Sequence, residues 1–527
     1  MPPPPYRRPR DDAARCSSHR LETKQNHPKK TQQQNEKDVI AARGLGTHVW
    51  TTTGERFLDF TSGIGATSTG HCHPRVVAAV REQAGRIAHA QQNVFGGHTA
   101  LQAFVAEANQ CFPAHLRRYF LCNSGSEAVD NAVKVARAAT GGRPNVVCFD
   151  GGFHGRTIAA MTLTTSKVVY RQGMGPGIAG VHVAPYPYCL HCRWQGEVGM
   201  RGYPLEPLDG AAAATPADGS GGGDGSAPSS SSPSSSSIPT PPARPARECC
   251  GAYSDALDTL FATATHPKET AAVIVEPILG EGGFLTPPPG FMRKLRALAD
   301  AHGFLIIADE VQSGAGRSGR WWAHELFDDG CMRPDLMVFA KGVASGYPMA
   351  GVAAAEGIFE RLPPGTLGGT YGGSAVACAA GAATLAAIRE EGMVANAAER
   401  GLQLQAGLVR LARRHASIVD VRGRGLMVGL EFGTGGNGLE QEEAGGGGAA
   451  GGGGGAGRRR RQNPGPCEPK GAAAAVARAA AKRGVLLMPA GAREAMRFLP
   501  PLNVSAAEVN ECLEVTDAAL GEVFGTP

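Results

Sequence analysis

A chain of 527 residues with 42% hydrophobic content is long enough to hold two or more domains around a substantial core. The formal charge of +5 is mild for this length, and part of it comes from Arg458 to Arg461 inside a glycine tract, so no organised nucleic-acid surface is expected. No run approaches about 18 apolar residues, which argues against a membrane span, and the 13 scattered cysteines fit reduced thiols inside a cell, cytosolic or mitochondrial, better than a disulfide framework.

Residues 1 to about 38 are polar, rich in Pro, Arg, Lys and Gln, and without periodicity, which predicts a disordered leader. Its arginines leave a mitochondrial or plastid transit peptide open, although apolar residues at helical spacing are lacking. Order is expected from Val39. His48-Val49-Trp50-Thr51 and Arg56-Phe57-Leu58-Asp59-Phe60 flank Thr53-Gly54-Glu55 and read as a β-hairpin. His71, Cys72 and His73 are metal-ligand types, but alternating neighbours on an extended segment point in opposite directions. A turn before a helix starting near Pro74 is the reading there. An amphipathic helix over residues 101–109 leads to a short strand, Tyr119-Phe120-Leu121-Cys122.

That strand runs into Asn123-Ser124-Gly125-Ser126-Glu127-Ala128-Val129, which opens a helix to about Ala139. Small residues and free N–H groups at a helix start make an anion site, suited to a cofactor phosphate. The same letters also serve as an ordinary N-cap with Glu in the first turn. The next strand, Val146-Val147-Cys148-Phe149, precedes Asp150-Gly151-Gly152-Phe153-His154-Gly155-Arg156-Thr157. Its glycines allow a sharp turn that leaves Phe153 free to lie against a planar ring and Arg156 free to meet a carboxylate.

Residues 210 to 246 are Ala, Gly, Ser and Pro repeats, expected to be a disordered insertion. Cys189, Cys192, Cys249 and Cys250 flank it. Either they close a zinc or iron–sulfur knot or, the preferred reading, they stay free thiols, because the second pair is adjacent rather than spaced by two. A helix over residues 255–264 and a buried strand, Ala271 to Val275, then lead to Glu276-Pro277-Ile278-Leu279-Gly280-Glu281-Gly282-Gly283. A helix to Ala301 and a strand over residues 304–312 continue an alternation that implies a parallel sheet with right-handed crossovers.

The stretch from Phe304 to Lys341 carries the chemistry. Two apolar runs, ending in Asp309-Glu310-Val311-Gln312 and in Ala340-Lys341-Gly342, deliver charged residues at strand C-termini, where ligands sit in open α/β sheets. A carboxylate there is suited to keep a pyridinium nitrogen protonated and a lysine is suited to form a Schiff base, so Asp309 and Lys341 are candidates for a pyridoxal phosphate site. Taken singly, each is also an ordinary solvated charge where a strand enters a loop. Further on, Gly368-Gly369-Thr370-Tyr371 precedes a long Ala-rich helix, residues 391–415 continue as amphipathic helix, and 419–432 reads as a strand pair. After a second low-complexity insertion, about 433–470, come a helix over 472–483, a strand Val485 to Met488, and a strand from Met496 to Leu502 in which Arg497 lies between apolar neighbours. An arginine so placed needs a partner, for which an acid substrate is suited.

Taken together these blocks resemble the class III, fold type I aminotransferases, and most closely the 4-aminobutyrate aminotransferases, over roughly residues 40 to 525 outside the two insertions. Gly282-Gly283-Phe284, Ala308-Asp309-Glu310-Val311-Gln312-Ser313-Gly314-Ala315-Gly316-Arg317 and Gly368-Gly369-Thr370-Tyr371 carry the resemblance best. It implies an α/β fold with a large cofactor domain on a mainly parallel seven-stranded sheet, here residues 91–390, and a small domain from both chain ends, here 39–90 and 391–527. It also implies a homodimer with a shared active site.

The resemblance further implies roles. Lys341 would link to pyridoxal 5'-phosphate and move the substrate proton, and Asp309 would pair with the ring nitrogen. Gly125 and Ser126 would form the phosphate cup, with Thr370 reaching the phosphate of the neighbouring subunit. Phe153 and Val311 would sandwich the ring, Gln312 would contact its phenolic oxygen, and His154 and Glu276 would belong to the same cofactor site. For the substrates, a small-molecule amino donor and a 2-oxo acid, Arg497 would take an α-carboxylate and Glu281 would neutralise it for donors that lack one. Arg156 would take the distal carboxylate, with Ile64 as an apolar wall. Ornithine, acetylornithine, β-alanine and alanine–glyoxylate transamination stay open as alternatives, as does an aminomutase or racemase on the same fold.

Overall fold

The computed structural model describes residues 40–92, 94–188, 251–433, 470–491 and 493–525. The leader, the four cysteines at 189, 192, 249 and 250, and almost all of both low-complexity stretches lie outside these residues. Among the described residues no helix is long and apolar enough to cross a membrane.

Seven strands form the main sheet, in spatial order Arg118–Cys122, Ala350–Ala354, Leu336–Phe339, Leu305–Asp309, Thr270–Val275, Asn145–Phe149 and Val181–Ala184. All pairings from Leu336–Phe339 to Val181–Ala184 are parallel, and Ala350–Ala354 is antiparallel to both its neighbours. Because side chains alternate along a strand, each face collects its own core. Phe149, Val273, Val275, Ile306, Ala308, Met337 and Phe339 pack on one face, and Cys148, Ala272, Ile274, Ile307 and Val338 on the other. A third core joins Leu58 and Phe60 to Val428, Leu430, Phe432, Phe498 and Leu520.

Four differences from the sequence reading have physical causes. The strand expected over 304–312 stops at Asp309, whose carboxylate accepts the Val311 N–H at 3.1 Å and turns the chain. The strand expected at Val485 to Met488 is two: Val485–Leu486 pairs parallel with the Arg56–Asp59 strand, and Met488–Ala490 pairs with Ala495–Phe498 in another sheet. Ala350–Ala354 had no strand signal, since alanine and glycine carry little β propensity. Small residues are needed there because a Cβ on Gly351 would lie 2.5 Å from the Phe339 ring. The last helix, Ala506–Phe524, is a further addition to the sequence reading, and Ser505 and Glu508 form the capping box that announces it.

What positions the site is the alignment of strand ends. Val275 pairs with Ala308 and Asp309 with Val338, so Glu276, Asp309 and Lys341 emerge at one edge of the sheet, with the Gly151–Arg156 turn following Phe149 on the neighbouring strand.

Candidate active site

Asp309 is 4% exposed and its Oδ2 lies 2.7 Å from His154 Nδ1. A carboxylate only accepts, so the imidazole nitrogen donates. Burial opposes charge on His154, but the hydrogen bond and the charges of Asp309 and Glu276 outweigh it and raise its pKa above the usual imidazole value. Glu276 is buried beside this pair. Desolvation, against the pull of His154, pushes its carboxyl up to about 7. Its two oxygens accept the N–H groups of Phe153, at 2.7 Å, and of Gly280, at 2.9 Å. Glu276 thus ties together the turn that carries Phe153 and the loop that carries Glu281.

Both shifts have the same sign consequence. A glutamate raised from 4.5 to about 7 costs the fold nothing below 4.5 and costs increasingly more as pH rises toward 7. A raised histidine contributes stability below its usual value that is lost as pH climbs through the folded value. Glu276→Gln, which can accept only one of the two N–H groups, is expected to cost about 1–3 kcal/mol. It should also flatten the fall of melting temperature between about pH 4.5 and 7. Melting curves across that range check this, and an unchanged slope would place the titration on other groups.

Lys341 is partly buried and begins a single 3-10 turn, Lys341–Ala344, with φ of 47°. A left-handed φ on a non-glycine residue is sterically costly and is held only by its surroundings. Gly342 behind it packs on Ser68, since a Cβ would fall 2.3 Å from the Ser68 hydroxyl. Burial, opposed by Asp309 and Glu276, lowers the Lys341 pKa, so more of the amine is uncharged near neutrality.

The residues expected to wall the cofactor are brought together by close backbone approach. Gly125 opens the helix Gly125–Ala139, and a Cβ there would meet Val311 at 3.1 Å. Ser126 Oγ accepts the Arg156 N–H at 2.7 Å, which binds the helix start to the glycine turn, and Gly155 leaves no room for a side chain beside Ser126. Phe153 meets Tyr170 edge-on at 5.2 Å. Gln312 donates from Nε2 to the Ile64 carbonyl at 3.3 Å, while its Oε1 is a buried acceptor without a partner. Ile64 itself is 45% exposed.

Of the residues expected to meet substrate, Arg497 is 3% exposed in the strand Ala495–Phe498 and its Nη1 lies 2.8 Å from Glu281 Oε1. Although burial alone raises a carboxyl, Arg497 and Lys167 hold Glu281 below the usual glutamate range. Lys167 and Tyr170 were not foreseen: Glu281 Oε2 lies 4.0 Å from Lys167 Nζ and accepts from the Tyr170 hydroxyl at 3.2 Å. Nothing in Lys167-Val168-Val169-Tyr170 announces this, because the contact spans more than a hundred residues of sequence. Arg156 is exposed, with its guanidinium 4.9 Å from the Tyr170 ring centre and 5.9 Å from that of Phe153. Thr370 is exposed, on a loop whose Gly369 comes close to Glu127 in the first turn of the Gly125–Ala139 helix.

The sequence matches the family Aminotransferase class-III over residues 30–202 and 226–520. The chain belongs to the class III aminotransferases. This aminotransferase is 33% identical to the 4-aminobutyrate aminotransferase GabT of Escherichia coli K12, over 92% of its own chain and 94% of that protein. It is 37% identical to the 5-aminovalerate aminotransferase DavT of Pseudomonas aeruginosa, over 76% and 80% of the two chains. In fold it is similar to an amine transaminase of an uncultivated Pseudomonas species in its PLP-bound form, with a TM-score of 0.74 over 94% of this chain and 98% of the other. The cofactor of this aminotransferase is pyridoxal 5'-phosphate. Its residues fit that group: the partnerless Gln312 Oε1, the partly buried Lys341 and buried Asp309 at adjacent strand ends, and the small-residue helix start at Gly125 are what an aromatic phosphate with an aldehyde requires.

Proposed function

We propose that this enzyme moves the amino group of an ω-amino acid, 4-aminobutyrate above others, to 2-oxoglutarate by a ping-pong route that gives succinate semialdehyde and glutamate. The observation that carries the reading is the Glu281–Arg497 pair, 2.8 Å apart beside the Lys341 strand end. A donor without an α-carboxylate leaves the buried arginine unpaired unless a carboxylate of the protein serves it, and a lone buried charge is strongly destabilising. With the pair closed, the pocket suits the ω-amino acid; with Glu281 turned away, Arg497 receives the α-carboxylate of glutamate or 2-oxoglutarate. Arg156 would hold the distal carboxylate in both halves. Lys167 and Tyr170, already on Glu281, give it polar neighbours when it leaves Arg497.

Pyridoxal phosphate, when bound, supplies a carbonyl that exchanges with the donor amine and a ring that takes up the electrons left by a departing proton. Lys341 would hold the cofactor and carry the proton away from the donor carbon, a task suited to an amine whose pKa burial has lowered. Asp309, oriented by His154 and the Val311 N–H, would keep its charge on the ring nitrogen. Gly125 and Ser126 would receive the phosphate, Phe153 and Val311 would cover the ring faces, and the Gln312 amide would contact the ring oxygen.

Thr370 beside the 66% exposed Tyr371, together with the exposed Val94 and Phe95, supports assembly as a homodimer in which the 368–371 loop serves a neighbouring subunit. The P. aeruginosa relative makes 5-aminovalerate, one methylene longer, the second candidate donor.

The test is a half-reaction screen that follows the visible absorbance of the bound cofactor as single amino donors are added without any oxo acid. Loss of the band with 4-aminobutyrate and with glutamate, but weakly with ornithine or alanine, supports the reading. Fast loss with ornithine or alanine changes the donor, and no net loss with any donor would favour a racemase or mutase. Glu281→Ala is expected to lower kcat/KM for 4-aminobutyrate about tenfold or more while glutamate changes little, because one unpaired buried charge costs several kcal/mol. Equal losses for both donors would argue against the gate.

A further inference from the structure

The loop that carries Glu281 is gripped by more than Arg497. Arg422, Gly429 and Arg497 stand opposite one another on three adjacent antiparallel strands, Ile418–Arg424, Met427–Phe432 and Ala495–Phe498. Cross-strand partners point to the same face, so the two arginines flank a glycine in one row. The 280–283 loop lies over that row. Arg497 donates to the Gly280 carbonyl at 3.2 Å, and Arg422 Nε donates to the Gly283 carbonyl at 2.7 Å. Between them, a Cβ on Gly429 would come within 2.8 Å of the Gly283 oxygen. Glycine is required at 429 so that the loop backbone can touch the sheet.

Arg422 is 8% exposed and firmly held on its other side. Its Nη1 lies 2.7 Å from Glu431 and 2.9 Å from Asp420, and donates to the Tyr188 hydroxyl at 2.9 Å, while that hydroxyl donates to Glu431 at 2.7 Å. Two carboxylates and a phenol therefore fix the guanidinium, which leaves its Nε aimed at one backbone oxygen two residues beyond Glu281. Neutralising Glu431 alone would need only a positive charge. The fork geometry of arginine adds a donor in a set direction, which a lysine does not supply.

We propose that Arg422 is a positioning residue for donor selection: by holding the Gly283 carbonyl it fixes the loop so that the Glu281 carboxylate stays seated on Arg497. This inference rests on the reading of Glu281 and Arg497 as a gate. Loosening the loop makes the closed pair harder to form, which harms a donor that needs it closed and spares one that needs it open.

The experiment uses the holoenzyme with two variants that disturb the same carbonyl in different ways. Arg422→Lys keeps the charge beside Glu431 and removes the Nε donor, and Gly429→Ala pushes on the Gly283 oxygen without touching the charge cluster. For each, kcat/KM is measured separately for 4-aminobutyrate and glutamate, and the dissociation constant for glutarate, an unreactive dicarboxylate that needs Arg497 free, is measured by calorimetry. Displacements of this size are expected to lower kcat/KM for 4-aminobutyrate about tenfold while glutamate stays within about threefold and glutarate binds more tightly. Proportionate losses for both donors, with glutarate binding unchanged, would overturn the proposal and leave Arg422 a purely structural residue. If the wild-type enzyme itself fails to use 4-aminobutyrate, the gate reading falls and this inference falls with it. A wild type that uses both donors, with variants that keep their ratio, sinks the inference alone.

Discussion

Replacing Lys341 by alanine is expected to abolish the visible absorbance of the bound cofactor and to lower kcat about a thousandfold or more, since in the proposed mechanism this amine both holds the reacting centre and carries its proton. The protein should remain folded. Burial lowers the pKa of Lys341, which means the folded state bears a cost for ionising it. Removing the amine relieves that cost, and the residue's left-handed φ of 47° is strained for any side chain. The melting temperature of cofactor-free Lys341→Ala should therefore be no lower than that of the parent, the pattern of a residue retained for activity against stability. Partial recovery of turnover on adding a small primary amine would confirm a chemical role. Near-normal kcat without added amine would remove Lys341 from the mechanism.

Asp309→Asn should cost kcat about a hundredfold or more, because on the proposed assignment it deletes a preorganised charge meant for the ring nitrogen while keeping shape. The asparagine oxygen can still accept the Val311 N–H, so the turn that ends the strand should survive. A second readout separates electrostatics from packing. The Asp309 hydrogen bond and charge are what raise the pKa of His154 against its burial, so the imidazole titration seen by NMR should move down in the variant. An unmoved His154 with normal turnover would mean that the carboxylate is not the charged partner assigned to it.

The residues at strand ends were legible because the local code is strong there. Runs such as Ala271 to Val275 are too apolar and β-branched to lie anywhere but inside a sheet, and the charged residue after each is forced to its edge. Asp309 and Lys341 follow from that rule, and the glycines at 125 and 155 from the space they must leave. The contacts between loops were not legible. Glu276 joins the Phe153 turn to the Gly280 loop, Tyr170 and Lys167 close on Glu281, and Arg422 reaches Gly283, yet no spacing encodes which polar side chains meet once the chain has folded. The Ala350–Ala354 strand escaped for a different reason: its residues are chosen for small size between Phe339 and Phe120, and size against a distant neighbour leaves no periodic trace.

The third core also bears on the order in which the molecule can be made. Leu58 donates its N–H to Gly484, Phe60 donates to Leu486 and accepts from Leu499, and all these partners lie near the far end of the chain. During synthesis the early apolar strand pairs only with its hairpin neighbour His48–Thr51, and its other edge has no mate until almost the whole polypeptide has left the ribosome, whereas the main sheet draws its strands from the middle of the sequence and can close first. Pairings of such long sequence separation form slowly and leave an open edge in the meantime. Chains interrupted before Gly484 would thus carry a main sheet already closed beside an N-terminal hairpin with one open, sticky edge, and these nascent or truncated forms are where aggregation and chaperone capture should concentrate.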